Sequence, residues 1–167
     1  MRKSAIIILT TLLLVSCSEN KKNNRDSETS KIEAFVKDKD YTRHQSGVYY
    51  KVIKEAEEAE EIAKPLITST DTIKIWFSGE ILSGYLFTTN ITSLAETNGI
   101  DISESDLVIK EIILKDYTLV QGLEYAIKSA SKGDSIHVVI PFDLGYGSVQ
   151  NGLVPPYSTL FYKIGIH

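Results

Sequence analysis

Apolar and polar side chains alternate with period two along several short stretches of the chain, and each of these predicts a β-strand. Val48, Tyr50 and Val52 alternate with Tyr49, Lys51 and Ile53. From Asp71 to Gly79, Ile73, Ile75 and Phe77 share one face while Thr72, Lys74, Trp76 and Ser78 share the other. Ser135 to Ile140 sets Ile136, Val138 and Ile140 against His137 and Val139, and Pro141 stops the run. Ser158 to His167 sets Leu160, Tyr162, Ile164 and Ile166 against Thr159, Phe161, Lys163 and Gly165. Leu107 to Leu114 (LVIKEIIL) is β-branched and apolar, which predicts a strand of less pure period. The period changes at Gln121 to Ser131, where Leu123, Ala126, Ile127 and Ala130 fall on one helical stripe and Gly133 stands where a helix cap would. Strands around one helix predict an α+β domain, an antiparallel β-sheet wrapped around one central α-helix. Trp76 points away from the Phe77 face and is expected to pack under the segment that precedes the domain. His137 is expected to be an exposed strand residue and His167 merely to end the chain.

Outside these periodic stretches the pattern is different. Arg2 and Lys3 precede an uncharged apolar run, Ala5 to Val15, too short for a bilayer span but of the length of a signal-peptide core. It ends in Leu14-Val15-Ser16-Cys17, which resembles the bacterial lipobox, whose Cys is joined to diacylglycerol and becomes the first mature residue. Residues 1–16 are therefore expected to be a lipoprotein signal peptide and Cys17 the site of lipidation, with acyl chains anchoring the product to a membrane. From Ser18 to His44 the chain is polar and mixed in charge, so residues 17–44 are expected to form a lipidated Cys and a tether, with the domain over 45–167. Ile32, Phe35 and Val36 have helical spacing, and a short amphipathic helix is expected around Lys31 to Lys39. The Glu-rich run 55–61, closed by Pro65, reads as a solvated face.

Composition narrows the chemistry. The 167 residues hold 22 acidic and 18 basic side chains, a net charge of −4, so no general attraction to nucleic acid is expected. Loss of the leader would remove Arg2 and Lys3 and make the balance more acidic. One Cys and three His (His44, His137, His167) leave neither a disulfide nor a metal cluster in prospect, and no metal or cofactor is expected. No Gly-x-Ser-x-Gly elbow, Walker motif or dinucleotide glycine pattern occurs. Asn90-Ile91-Thr92 matches a glycosylation acceptor, and is read as chance in a bacterial lipoprotein. Nothing in the sequence calls for a dimer, so a monomer is expected.

The order of motifs after Leu119 is the informative feature. Leu-Val-Gln-Gly-Leu leads into the helix, then come Lys-Gly-Asp, a strand ending Ile-Pro, Asp-Leu-Gly-Tyr-Gly, and Leu-Val-Pro-Pro-Tyr-Ser-Thr-Leu-Phe-Tyr-Lys-Ile. This order resembles the FKBP-type peptidyl-prolyl cis-trans isomerases. Upstream, Gly47 to Ile53, Ile75 to Gly79 and Gly84 to Phe87 resemble that family's earlier strands, so the likeness covers roughly Gly47 to His167. With the lipobox and tether, the chain also resembles Bacteroidetes lipoproteins of this class, including gliding-motility-associated isomerases.

The resemblance implies an isomerase of Xaa-Pro bonds acting on unfolded or folding exported proteins at the cell envelope, most simply on the periplasmic side of the outer membrane. It implies that Tyr146 donates its hydroxyl to the substrate carbonyl, that Phe87 packs the proline ring, and that the Val120 backbone N–H is a further donor. It implies that Phe77, Thr88, Leu119, Leu123, Leu153, Val154 and Tyr162 line the substrate site. Three positions depart from the family's pattern: Phe77 stands for its usual Tyr, Thr88 for Asp, and Leu123 for the Trp at the pocket floor. These departures keep a second reading open, a catalytically silent FKBP-like binding module. The stretch between Phe87 and Leu119 is longer than a compact family member needs, and its Asn90 to Asp106 portion is an expected insertion and partner-binding flap.

Overall fold

The computed structural model describes residues 21–54, 65–101, 110–116 and 119–167. The leader and Cys17, the Glu-rich run, and residues 102–106 of the expected insertion lie outside the described residues. The chain divides into two compact units, Met1–Lys37 and Asp38–His167.

In the first unit, residues 21–36 form one helix, α1. Its described part starts about ten residues before the apolar spacing of Ile32, Phe35 and Val36 predicts. The earlier turns are polar, and their hydroxyls bond back to the helix itself: Thr29 Oγ1 donates to Arg25 O (2.9 Å) and Ser30 Oγ to Asp26 O (3.2 Å). A helix whose first turns carry no apolar stripe leaves no periodic signal.

The second unit is built on an antiparallel sheet. Its described strands are β1 (Thr42–Arg43), β2 (Tyr49–Lys54), β3 (Thr72–Ile81), β4 (Leu86–Thr89), β5 (Lys110–Ile113), β6 (Ser135–Ile140) and β7 (Leu160–Ile166). They run in the order β1-β2-β6-β7-β3-β4, and β5 also pairs with β3. The long strand β3 pairs along one edge with β7, from Ile75↔Ile166 to Ile81↔Leu160. Its other edge is divided: β5 covers Thr72 to Ile75, and β4 covers Ser78 to Glu80. Two further helices are described in this unit, α2 (Thr92–Asn98) in the expected insertion and α3 (Gln121–Ile127).

Helix α3 is the central helix the pattern predicts. Its Leu123, Ala126 and Ile127 are buried in one cluster with Ile73 and Ile75 of β3, Ile136, Val138 and Ile140 of β6, and Leu160, Ile164 and Ile166 of β7. The α-helix ends at Ile127, short of Ser131, because the next turn tightens. Ser129 N–H donates to Ala126 O and Ala130 N–H to Ile127 O, both three residues back. Gly133 is not the cap; it adopts φ +89° in the turn that leads to β6, and its N–H donates to Ile166 O.

The face of the sheet away from α3 corrects the expectations for His137 and His167 and gives Trp76 partners on β7 and at His167. Trp76 lies over Gly165, where a Cβ would fall 2.0 Å from its Cε2. Its Nε1 donates to His167 Nε2 (3.1 Å). His167 extends the ladder, its backbone N–H and C=O both pairing with Lys74. His137 is half-buried, with its ring edge-on to Phe161 at 5.4 Å.

Candidate active site

The site forms where the ends of several segments far apart in sequence meet over the inner face of the sheet. Ile75 and Phe77 come from β3, Thr88 from β4, and Tyr162 and Ile164 from β7. Leu119 and Val120 lie at the entrance of α3, Leu123 and Ile127 within it, and Tyr146 in the loop after β6. Together they line a cavity of about 180 Å³. A cavity of about 150 Å³ takes a benzene-sized ring, so this one suits a single small ring rather than a large ligand. Leu123, Ile127, Ile75 and Ile164 are buried and make its floor, while Thr88, Leu119, Val120 and Tyr146 are half-buried at its mouth.

Each polar group is placed by local structure. Tyr146 follows the 3-10 turn Phe142–Leu144. The loop that carries it is tied at both ends: Gly147 N–H donates to Phe142 O (2.9 Å), and Tyr157 N–H donates to Gly147 O (2.9 Å). Gly147 takes φ +70°, a conformation that a side chain there would strain. Val120 is the N-cap of α3 in an extended conformation (φ −62°, ψ 141°), so its N–H has no partner within the helix.

Four aromatic rings shape the wall. Phe87 stands edge-on to Tyr146 (6.2 Å) and to Tyr162 (5.9 Å), and Phe77 is tilted against Tyr162 (6.4 Å). Such edge contacts hold rings in fixed relative positions. Room for the Tyr162 ring exists because position 79 is Gly. A Cβ there would lie 2.6 Å from Tyr162 Cε1 and 2.7 Å from Thr88 Cγ2. Burial pushes the Tyr162 phenol well above its ordinary value, and its hydrogen bond with the Tyr146 hydroxyl acts in the same direction.

Phe77 and its neighbours are held by an unexpected device. Asn90 is buried, and its side-chain amide works along the β3 edge where the pairings of β5 and β4 leave a gap. Phe77 N–H donates to Asn90 Oδ1 (2.6 Å), and Asn90 Nδ2 donates to Ile75 O (2.9 Å). Thr89 Oγ1 adds a bond to Phe77 O (2.7 Å).

Of the expected site residues, Tyr146, Val120, Phe77, Thr88, Leu119, Leu123 and Tyr162 line the cavity, and Phe87 joins them through its ring contacts. Leu153 and Val154 do not join its wall. Their loop closes on itself, with Val154 and Asn151 exchanging backbone hydrogen bonds, so that Leu153 is 56% exposed and Val154 is 2% exposed within the core. Ile75, Ile127 and Ile164 belong to the wall and were not among the expected residues. Their periodicity carried the signal: Ile75 is two residues from Phe77, Ile164 two from Tyr162, and Ile127 four from Leu123, each on the same face.

Comparison with known proteins gives a consistent result. The family model for FKBP-type peptidyl-prolyl cis-trans isomerases matches residues 64–167. A Haemophilus influenzae protein described as a probable FKBP-type peptidyl-prolyl cis-trans isomerase is 31% identical over 134 residues. That match takes in 79% of this chain and 46% of the relative, so the chain spans about half the relative's length. Among solved structures, a peptidyl-prolyl cis-trans isomerase from Pseudomonas syringae superposes with a TM-score of 0.65 at 14% identity, covering 87% of this chain and 92% of that one. FkpA from Escherichia coli superposes with a TM-score of 0.62 at 22% identity, covering 95% and 70%. At these identities the two structures speak to the fold alone.

Proposed function

The chain belongs to the FKBP-type peptidyl-prolyl cis-trans isomerases, and from that premise we propose that its cavity catalyses cis-trans isomerisation of Xaa-Pro bonds in unfolded or folding proteins. The observation that carries this reading is a small apolar and aromatic cavity with a phenol hydroxyl, Tyr146, at its mouth.

The chemistry needs no acid, base or metal. An amide resists rotation by about 18–20 kcal/mol because resonance must be broken, and an Xaa-Pro bond isomerises unaided in tens to hundreds of seconds. Resonance places negative charge on the planar amide's carbonyl oxygen, and water stabilises that charge. Walls made of Phe77, Leu123, Ile75 and Ile164 exclude water, so the planar amide loses more than the twisted one. The proline ring fits beside Phe87 and Tyr162. Tyr146 Oη–H and the Val120 N–H can donate to substrate backbone carbonyls beside the rotating bond, anchoring the peptide so that the twisted geometry is the one the cavity fits.

The test is acceleration of cis-to-trans exchange in a short Xaa-Pro peptide by the full chain, with Tyr146→Phe and Phe87→Ala alongside. Both substitutions are expected to reduce kcat/KM, Phe87→Ala by tenfold or more because it removes a packed ring. A folded protein that leaves the peptide rate unchanged would overturn the catalytic reading. That outcome would favour the second reading, a non-catalytic FKBP-like module holding an assembly partner, for example in motility or secretion machinery. The observation behind it is that Phe77, Thr88 and Leu123 line the cavity where the family pattern has Tyr, Asp and Trp.

The leader and Cys17 extend the proposal to location. We infer a lipid-anchored protein of the bacterial cell envelope, on the periplasmic side of the outer membrane, of the kind found among Bacteroidetes lipoproteins. Its clients would be exported proteins.

A further inference from the structure

The cavity wall holds two phenol hydroxyls, Tyr146 and Tyr162, and the smaller hydroxyl of Thr88. Phe77, on the same wall, has none. Tyr162 is 3% exposed. Its ring lies against Gly79 on one side and meets the Phe87 and Phe77 rings, so it cannot turn its oxygen out to water. A phenol oxygen enclosed in this way must be hydrogen-bonded or destabilise the fold. Among the described residues no buried side-chain nitrogen or oxygen lacks a partner. The partner of Tyr162 is the Tyr146 hydroxyl.

The direction of that bond follows from the surroundings. Tyr162 is enclosed and needs an acceptor for its hydrogen, whereas Tyr146, half-buried at the cavity mouth, has open space for its own, so the arrangement that serves both hydrogens makes Tyr162 the donor. A hydroxyl has one hydrogen and two lone pairs. With one lone pair of Tyr146 Oη engaged by Tyr162, the Tyr146 hydrogen is left to turn away from that contact and toward the open cavity. Accepting a hydrogen bond also makes an O–H a stronger donor, as in any chain of hydrogen bonds.

We propose that Tyr162 is a positioning residue for Tyr146: its O–H donates to Tyr146 Oη, aims the Tyr146 hydrogen into the cavity and strengthens it as the donor that anchors the substrate backbone. The inference rests on the isomerase reading above and adds a hydroxyl that acts through Tyr146, while the Tyr162 ring keeps its place in the wall. It also accounts for the Tyr on β7 as more than space-filling, since a Phe would pack the same wall.

A mutant cycle with the full chain tests it, using a short Xaa-Pro peptide and four proteins: unaltered, Tyr162→Phe, Tyr146→Phe and the double variant. Tyr162→Phe is expected to lower kcat/KM by about three- to tenfold, the size of one neutral hydrogen bond. In the Tyr146→Phe background the same change is expected to cost less than about 1.5-fold, because its only route to the substrate is gone. No loss in Tyr162→Phe, or an equal loss in both backgrounds, would overturn the proposal and leave Tyr162 as packing. A second measurement does not depend on activity: with tyrosine labelled at Cζ, the Tyr162 hydroxyl proton is expected as a slowly exchanging resonance that moves upfield in Tyr146→Phe. If it does not move, the contact is absent and the proposal falls. If the unaltered chain does not accelerate the peptide, the isomerase reading falls and takes the catalytic role of Tyr162 with it, while the resonance alone still decides the contact.

Discussion

At the scale of single residues, the face of the sheet away from the site carries a charge arrangement that the fold makes unavoidable. His137 on β6 stands in register between Lys51 on β2 and Lys163 on β7. Lys163 pairs with Glu80 (2.8 Å) and Lys51 lies near Asp40 (3.6 Å), so both lysines are partly neutralised. The imidazole is nonetheless held below its usual value of 6.5, by burial first and then by Lys163 and Lys51, with Glu80 opposing. The unfolded chain takes up this proton near pH 6.5, the folded chain only at lower pH. Between those two values the unfolded state binds more protons, so stability falls as pH falls through that window. The thermal midpoint is expected to drop between pH 7 and pH 5 by a few degrees more in the unaltered protein than in His137→Gln. Carboxylates contribute to both slopes alike, so parallel curves would show that His137 titrates as it does in the unfolded chain.

At the scale of elements, β3 depends on a side chain to complete its edge. Between the pairing with β5, ending at Ile75, and that with β4, beginning at Ser78, Asn90 supplies the bonds a strand would have made. Because Ile75 and Phe77 both line the cavity, this clamp sets the site wall as well as the sheet. Asn90→Ala would leave Phe77 N–H and Ile75 O without these partners, and is expected to destabilise the domain by about 2–4 kcal/mol in urea unfolding. Asn90→Asp keeps the acceptor for Phe77 N–H but opposes Ile75 O with a second acceptor, and is expected to be no better than Ala. If Asn90→Ala unfolded at the midpoint of the unaltered chain, the clamp would not be structural. None of this was legible in the sequence, where Asn90-Ile91-Thr92 reads as a chance glycosylation match. Period two reveals a strand by its side chains, as it did for β2, β3, β6 and β7, but it says nothing of which side chain completes a neighbour's backbone. The early turns of α1 escaped for a related reason, since their polar side chains, Thr29 and Ser30 among them, bond to the helix's own carbonyls and leave no periodic signal.

At the scale of the whole molecule, the site exists because topology brings β3 and β7 side by side from opposite ends of the domain sequence. Phe77 and Ile164 are directly paired although 87 positions separate them. Motif order pointed to Tyr146, Phe87 and the entrance of α3, and the fold brings these together around the cavity. Leu153 and Val154 stand outside the cavity wall because a loop's path depends on its own closure, here the Asn151 to Val154 bridge, which no periodicity encodes. Every described residue of the cavity wall belongs to the unit Asp38–His167, whereas the expected anchor, Cys17, belongs to the other. Location and catalysis should therefore separate in a single substitution. Acyl chains gain about 0.8 kcal/mol per buried methylene, so two or three of them dominate partitioning, while a short peptide in solution meets only the cavity. In cells of an organism that lipidates envelope proteins, Cys17→Ala is expected to move the full chain from the membrane and detergent phase to the aqueous phase. The purified variant is expected to retain peptide isomerisation within about twofold of the unaltered protein, because no wall residue has changed. Continued membrane retention of Cys17→Ala would overturn the anchor, and lost activity in a soluble, folded variant would overturn the independence of the two units' roles.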